Sequence, residues 1–202
     1  MDIDAILARE WATPEDLGPD EYERAVDFWQ TMRVHDTRLH ALREKATAMI
    51  YGWTGRTPRD VGSLGTQVNL DSSDLDLDLG IGCTLEDRPA LLAALDGHAT
   101  LKGERWTRTT STRLVFSFTV EDIEIDLSAL TPEDFAIDCR MLDAIARGMS
   151  SEERIAHTWV KHLLREAGRL EDYARWKLVV YAKYCPEFTW VTIPEHPVAT
   201  AR

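Results

Sequence analysis

The sequence predicts an α+β fold, with a small mixed β-sheet in the middle of the chain, flanking helices and a helical C-terminal third. Hydrophobic residues recur at helical spacing in the N-terminal part. Short alternating or β-branched runs follow, and the last third reads as helices separated at Gly148 and Gly168. These patterns divide the chain into an N-terminal helical segment (residues 1–50), a core that contains the sheet (51–130) and a helical C-terminal region (131–202).

A long helix is predicted near the N-terminus. Residues 20–51 contain neither proline nor glycine, and their apolar residues lie three or four positions apart. Pro14, Gly18 and Pro19 precede this stretch, which indicates a short helix followed by a break. The pattern predicts one long amphipathic helix, straight or kinked. The apolar residues that define it are Tyr22, Val26, Trp29, Met32, Leu39, Leu42, Ala46 and Met49.

The middle of the chain is predicted to form the sheet. Aspartate and leucine alternate over residues 74–79, which is typical of a strand with one buried and one exposed face. Residues 51–60 read as turns. The other predicted elements are a helix at 86–96, strands at 100–109, 113–120 and 122–127, and helices at 133–147, 151–167 and 170–183, the first of these three starting at Thr131-Pro132-Glu133.

The composition is that of a globular protein with an acidic surface. Its 202 residues can form one domain with a sizeable core. The formal net charge is −12, whereas proteins that hold long nucleic acids usually present basic surfaces. The charge therefore favours a small or weakly charged partner. An RNA partner is compatible with this composition if a local basic groove is present.

Several features point to the cytoplasm. No apolar run is long enough to span a membrane, so we expect no membrane contact. The N-terminus begins with acids where a signal peptide carries a basic segment and then an apolar one. Cys83, Cys139 and Cys185 are scattered and odd in number, which argues against a disulfide framework and against a structural zinc site.

Three aspartates on alternate positions form the most unusual motif. Asp74, Asp76 and Asp78 share one face of the predicted strand and lie about 7 Å apart per step. Carboxylates at this spacing repel one another unless a cation lies between them. Mg²⁺ prefers oxygen ligands, usually one or two carboxylates together with substrate phosphates. The motif therefore predicts a site for Mg²⁺ and a nucleotide, and a solvated strand face is the alternative interpretation.

The arrangement resembles a known superfamily. A Gly-Ser turn at residues 62–63 is followed after ten residues by an Asp-hydrophobic-Asp strand at 74–76, as in the DNA polymerase beta-like nucleotidyltransferase superfamily. The resemblance covers about residues 50–130 and implies a nucleotidyltransferase core. Gly65-Thr66 follows the turn at a shorter distance than in many relatives that polymerise or cyclise nucleotides, which argues against those branches.

The superfamily takes a third carboxylate from a later strand with hydrophobic neighbours. Asp126, between Ile125 and Leu127, matches that pattern, and Glu124 is the competing candidate. Asp78 has no counterpart in the pattern and is interpreted as a solvated or supporting acid.

The resemblance implies a role for each motif residue. Ser63 and the backbone amides around Gly62 would bind the β- and γ-phosphates of a nucleoside triphosphate. Asp74 and Asp76 would hold a divalent metal, Mg²⁺ or Mn²⁺, that bridges the triphosphate. Asp126, with both of them, would hold a second metal at the attacking hydroxyl and accept its proton.

Basic side chains are needed to neutralise the triphosphate. Lys177 and Lys183 in the last predicted helix, and Arg56 and Arg59 before the Gly-Ser turn, are candidates, and Lys177 is the one assigned to nucleotide binding. Ordinary solvated surface residues are the alternative interpretation of this group.

The predicted function is an enzyme that moves a nucleoside monophosphate, with AMP favoured, from the triphosphate to a hydroxyl of a small molecule and releases pyrophosphate. One alternative is the same transfer to an RNA end, a nucleotide or a protein hydroxyl. A second alternative, from another class, is a regulator that binds the nucleotide without transferring it. The sequence leaves the oligomeric state open.

Overall fold

The computed structural model describes residues 3–8, 13–70, 77–106 and 112–186. In these ranges the chain has the predicted α+β fold, a mixed five-stranded sheet with flanking helices. The helices are α1 (Ile3–Leu7), α2 (Pro14–Leu17), α3 (Pro19–Arg33), α4 (Asp36–Thr54), α5 (Arg88–Leu95), α6 (Pro132–Gly148), α7 (Ser151–Glu166) and α8 (Leu170–Ala182). The strands are β1 (Arg59–Asp60), β2 (Leu77–Gly82), β3 (Thr100–Trp106), β4 (Thr112–Val120) and β5 (Ile123–Leu130).

The strands are arranged in the order β1-β2-β5-β4-β3. β2 and β5 are parallel, and the other three neighbouring pairs are antiparallel. The parallel pair is joined in sequence through α5 and the β3-β4 hairpin, a connection long enough for a crossover. β5 thus lies in the middle of the sheet, and β2, which contains Asp78 of the acidic motif, lies beside it.

One face of the sheet holds a hydrophobic core. Alternate residues of β2 and β5 point to this face, because side chains alternate along a strand. α4 and α5 cover it with their buried leucines and with Ala46 and Ile50. The strand residues are Leu77, Leu79 and Ile81 from β2 and Ile123, Ile125, Leu127 and Ala129 from β5.

α6 packs against the opposite face of β2. Two glycines make the close approach possible, since Phe135 of α6 lies over Gly80 and Gly82. A Cβ atom on Gly80 would lie 2.8 Å from Cγ1 of Val61 and 3.4 Å from Cε2 of Phe135. A second hydrophobic core lies between α3, α7 and α8, with Trp159 and Trp176 among its buried residues.

The helix starts follow ordinary capping chemistry. Thr131 caps α6 by accepting a hydrogen bond from the backbone N–H of Asp134 at 3.2 Å, and Pro132 occupies the first helical position. Ser150 and Glu153 form a capping box at the start of α7. These ends confirm the helix boundaries predicted near residues 133 and 151.

The long helix predicted at residues 20–51 is divided into α3 and α4. Val34 and His35 form a turn between them, in which the N–H of His35 donates to the carbonyl oxygen of Met32 at 3.2 Å. The division has a packing cause, because α3 contributes to the core with α7 whereas α4 covers the sheet. One straight helix could not bury both faces. α4 also continues to Thr54, beyond the predicted end of the helix.

No helix in the described ranges is long and apolar enough to cross a membrane. The cysteines Cys83, Cys139 and Cys185 are all free thiols, and Cys83 and Cys185 are buried.

Candidate functional site

The Gly-Ser motif lies in a turn at residues 62–67 that directly follows β1. The N–H of Val61 donates to the carbonyl oxygen of Asp78 at 2.8 Å, which ties the start of the turn to β2. The N–H of Gly62 donates to Oδ1 of Asp60 at 2.9 Å. This amide, one of those expected to face phosphate, therefore has an intramolecular acceptor. The Ser63 side chain is half-buried at the centre of the turn.

Asp60 is a largely buried carboxylate beneath the turn, with 14% of its side chain exposed. Arg43 of α4 forms an ion pair with it at 3.4 Å. Burial raises the pKa of the Asp60 carboxyl, against the opposing effects of the Gly62 amide, Arg43 and the Gly65 amide. The raised pKa indicates that the loss of hydration outweighs these partners.

Two lysines from the C-terminal helices lie near one aromatic ring, and one of them contacts the turn. Lys161 of α7 donates to Oγ of Ser63, with an Nζ to Oγ distance of 3.4 Å. Its Nζ lies 5.4 Å from the ring centroid of Tyr173, and Nζ of Lys177 lies 5.6 Å from the same centroid. Lys177, predicted from the sequence to bind the nucleotide, thus belongs to a pair of cations around one aromatic ring.

Lys161 was not identified from the sequence. It is separated from Ser63 by 98 positions. A single lysine within a predicted amphipathic helix does not belong to a recognisable sequence motif. Only the packing of α7 beside the turn reveals the contact.

A buried histidine supports the tyrosine between the two lysines. Nε2 of His157 lies 3.0 Å from the hydroxyl oxygen of Tyr173, and both side chains are buried. Burial lowers the pKa of His157 well below its ordinary value, and the charges of Lys161 and Lys177 lower it further. His157 is therefore neutral at pH 7 and serves as a structural partner of Tyr173.

The carboxylates of the motif are described only in part. Asp74 and Asp76 lie outside the described residues. Asp78 and Asp126 are half-buried Cα partners on the parallel strands β2 and β5, so both side chains point to the sheet face that is opposite the hydrophobic core.

The two candidates for the third carboxylate differ in their surroundings. Glu124 is exposed, and Lys102 of β3 forms an ion pair with it at 2.9 Å. The hydrogen bond from Lys102 and a second one from Ser117 lower the pKa of Glu124. Asp126 is half-buried, and its charge contributes to raising the pKa of Lys102.

The arginines considered from the sequence have acidic partners of their own. Arg56 lies 2.9 Å from Asp87 and donates to the carbonyl oxygen of Gly82 at 2.8 Å. Arg59 lies 2.8 Å from Asp143 of α6. Both side chains thus hold neighbouring elements together.

A divalent metal is implied by the superfamily resemblance, which gives Asp74, Asp76 and Asp126 as its ligands. Of these, the structure describes Asp126, whose carboxylate is the ligand type that Mg²⁺ prefers. Asp78, which has no role in that pattern, is its Cα partner on the adjacent strand. No group of three or more His, Cys, Asp or Glu side chains that could hold a metal occurs within the described ranges, which omit Asp74 and Asp76.

Side chains from two helices hold the backbone that follows the turn. Arg154 of α7 donates to the carbonyl oxygen of Thr66. From α3, Trp29 donates to the carbonyl oxygen of Gln67 at 3.4 Å and Arg33 to that of Asn69 at 2.8 Å. The segment that leads from the turn toward Asp74 is therefore fixed through three of its carbonyl groups.

Comparison with known proteins supports the fold. No protein-family model and no curated protein matches this sequence. A solved structure described as "structure of GLD-2/RNP-8 complex" is similar in fold, with a TM-score of 0.53 and 15% sequence identity. The similarity covers 81% of this chain and 65% of that chain. At this identity the likeness concerns the arrangement of helices and strands.

Proposed function

We propose that this protein is a metal-dependent nucleotidyltransferase, which transfers a nucleoside monophosphate from a nucleoside triphosphate to a hydroxyl group. In the transfer, the acceptor oxygen forms a bond to the α-phosphorus. The bond from that phosphorus to the α-β bridging oxygen breaks, and pyrophosphate leaves with the electron pair. The acceptor proton passes to a carboxylate.

The observation that carries the proposal is the contact between Lys161 and Ser63. A turn with a serine hydroxyl and a lysine 3.4 Å from that hydroxyl is suited to bind phosphate oxygens. Lys177 adds a second positive charge near the ring of Tyr173, which Lys161 also approaches. The two lysines offset the local negative charge of an otherwise acidic protein.

Asp126 is the better candidate for the carboxylate that accepts the proton. It matches the pattern of an aspartate between hydrophobic neighbours and is half-buried, whereas Glu124 is exposed and forms an ion pair with Lys102. Asp74, Asp76 and Asp126 would hold Mg²⁺ or Mn²⁺, which when bound neutralises the charge on the triphosphate and on the attacking oxygen.

A small molecule is the acceptor that we propose. The net charge of −12 opposes binding of a long polyanion and suits a neutral or cationic compound. AMP is the favoured nucleotide to be transferred. RNA is the alternative acceptor and is tested beside the small molecules.

The experiment follows pyrophosphate release with each of the four nucleoside triphosphates in the presence of Mg²⁺ or Mn²⁺. One arm offers pooled RNA, and another offers a panel of hydroxylated and aminated small molecules. Lys161→Gln is expected to raise the KM for the triphosphate about tenfold, through loss of a charge-assisted contact. Lys45→Gln is the matched control, because Lys45 is 55% exposed and pairs with Glu121 away from the turn.

The outcomes separate the alternatives. Release that requires a small molecule, and that disappears in Asp74→Ala and in Asp126→Ala, supports the proposal. Release only with RNA would move the acceptor to the polymer class. A protein that binds the triphosphate but releases no pyrophosphate with any acceptor would instead act as a regulator, and one that binds no triphosphate would contradict the proposal as a whole.

A further inference from the structure

Asp60 is an acidic residue in direct contact with the turn that the proposed function assigns to phosphate binding. Oδ1 of Asp60 accepts from the N–H of Gly62 at 2.9 Å, and the Gly65 amide also interacts with this carboxylate. Gly65 lies so close that a Cβ atom added to it would be 3.3 Å from Cγ of Asp60. The carboxylate thus fills the inner side of the turn, where it contacts both glycines.

The position of Asp60 is itself fixed by the sheet and by α4. Asp60 is the last residue of β1 and is the Cα partner of Leu79 in β2. Arg43, from the helix that covers the core, lies 3.4 Å from its carboxylate. The turn is therefore connected through one residue to β2, by strand pairing, and to α4, by the side-chain ion pair.

We propose that Asp60 is a positioning residue, which holds the 62–67 turn in the shape that presents Ser63 to the triphosphate. By accepting from the amide of Gly62 on the inner side of the turn, it leaves the Ser63 hydroxyl and Lys161 as the groups that face phosphate. This role rests on the proposed function. It requires an oxygen acceptor at residue 60 and does not require a negative charge there.

The requirement for an acceptor separates two substitutions. Asp60→Asn keeps an oxygen at the Oδ1 position and removes the charge, whereas Asp60→Ala removes both. We expect Asp60→Ala to raise the Kd of the Mg²⁺ complex of a non-hydrolysable ATP analogue about tenfold, as one hydrogen bond of this kind would produce. We expect Asp60→Asn to stay within about threefold of the wild-type protein.

A second measurement reports on the turn without any nucleotide. Val61-Gly62 is the only Val-Gly pair in the sequence, so ¹³C-carbonyl valine combined with ¹⁵N-glycine isolates the NMR signal of the Gly62 amide. The solvent exchange of this amide is expected to accelerate about tenfold in Asp60→Ala and to stay near the wild-type rate in Asp60→Asn. Asp122, which is exposed and lies in the turn between β4 and β5, provides matched Ala and Asn controls.

Two results would overturn the proposal. If Asp60→Asn weakens nucleotide binding as much as Asp60→Ala, the charge rather than the acceptor matters. If Asp60→Ala leaves the exchange of Gly62 and the Kd unchanged, Asp60 does not position the turn. A wild-type protein that binds no nucleoside triphosphate would contradict the proposed function and the nucleotide role of Asp60 together, and the exchange of Gly62 would still report whether Asp60 holds the turn.

Discussion

The guanidinium of Arg154 donates a hydrogen bond to the carbonyl oxygen of Thr66, which lies 88 positions earlier in the chain. The same guanidinium donates to the carbonyl oxygens of Ala146 at 2.7 Å and Met149 at 3.0 Å. Arg154 is buried, with 8% of its surface exposed. The side chain of Arg154 therefore connects the Gly-Ser turn to the junction of α6 and α7. Lys161 also belongs to α7.

Arg154→Met is expected to reduce both stability and nucleotide binding. The substitution leaves the carbonyl groups of Thr66, Ala146 and Met149 without their donor, and buried unsatisfied carbonyls are costly. We expect a loss of about 2–4 kcal/mol in the free energy of unfolding, measured by urea denaturation. The KM for the triphosphate is expected to rise, because the turn is no longer held against α7.

Arg24→Met is the matched control for this prediction. Arg24 is 65% exposed, and its ion pair with Glu21 is of the surface type that contributes little. The control should change the free energy of unfolding by less than about 1 kcal/mol. Equal losses in the two variants would show that the contacts of Arg154 are not what stabilises this region.

Gly80→Ala is expected to disturb the packing of α6 on the sheet. Its Cβ would lie 3.4 Å from Cδ1 of Leu130 and 2.8 Å from Cγ1 of Val61. The distance to Val61 is shorter than packed atoms tolerate, so the neighbouring side chains must shift. We expect a loss of about 1–3 kcal/mol in the free energy of unfolding. Gly82→Ala, whose nearest contact is 3.3 Å from Phe135, should cost less, and the reverse order of the two losses would contradict this account.

The sequence was sufficient to predict the elements that depend on local patterns. The hydrophobic spacing and the caps at Thr131 and Ser150 mark the helices of the last third, and alternation marks the strands. The division between α3 and α4 was left open, because it follows from two separate cores that only the packed chain defines.

The sequence located the Gly-Ser motif but not all of its surroundings. The motif lies in a turn, as its residues indicate, whereas residues 51–60 were predicted as turns and in fact contain the end of α4 and the short strand β1. Lys161 was missed because its contact with Ser63 joins distant parts of the chain. Asp60 was missed because the direction of its side chain, into the turn, is defined by the folded structure. The roles of Asp74 and Asp76 stay predictions, since both residues lie outside the described ranges.

Asp60 is expected to make the stability of the protein depend on pH. Because burial raises its pKa in the folded state, the protonated form favours folding. This contribution is complete below the ordinary pKa of 3.8 and is lost as the pH rises through the raised value. Asp60→Asn removes the titration, so the difference in Tm between the variant and the wild type should increase from pH 4 upward. A difference that is constant with pH would contradict the raised pKa.

His157 is expected to make the protein less stable as the pH falls, which is opposite to the effect of Asp60. Its pKa in the folded state is well below 6.5, because burial and the nearby lysines oppose its protonation, so only the unfolded chain gains a proton as the pH falls below 6.5. The free energy of unfolding should then decrease with falling pH, by at most about 1.4 kcal/mol per pH unit for one proton. The decrease continues until the pH reaches the lowered folded pKa.

His157→Phe tests this linkage through a slope rather than through an absolute stability. The variant also removes one hydrogen bond of the buried Tyr173 hydroxyl, so its stability at pH 7 should be lower than that of the wild type. Its free energy of unfolding, measured by urea denaturation from pH 7 to pH 5, should nevertheless fall less steeply than in the wild-type protein. His35→Phe, which replaces an exposed histidine in the turn between α3 and α4, is the matched control for the loss of one imidazole. Identical slopes in His157→Phe and the wild type would mean that His157 has the same pKa in the folded and the unfolded chain. That result would contradict the lowered pKa expected from its burial.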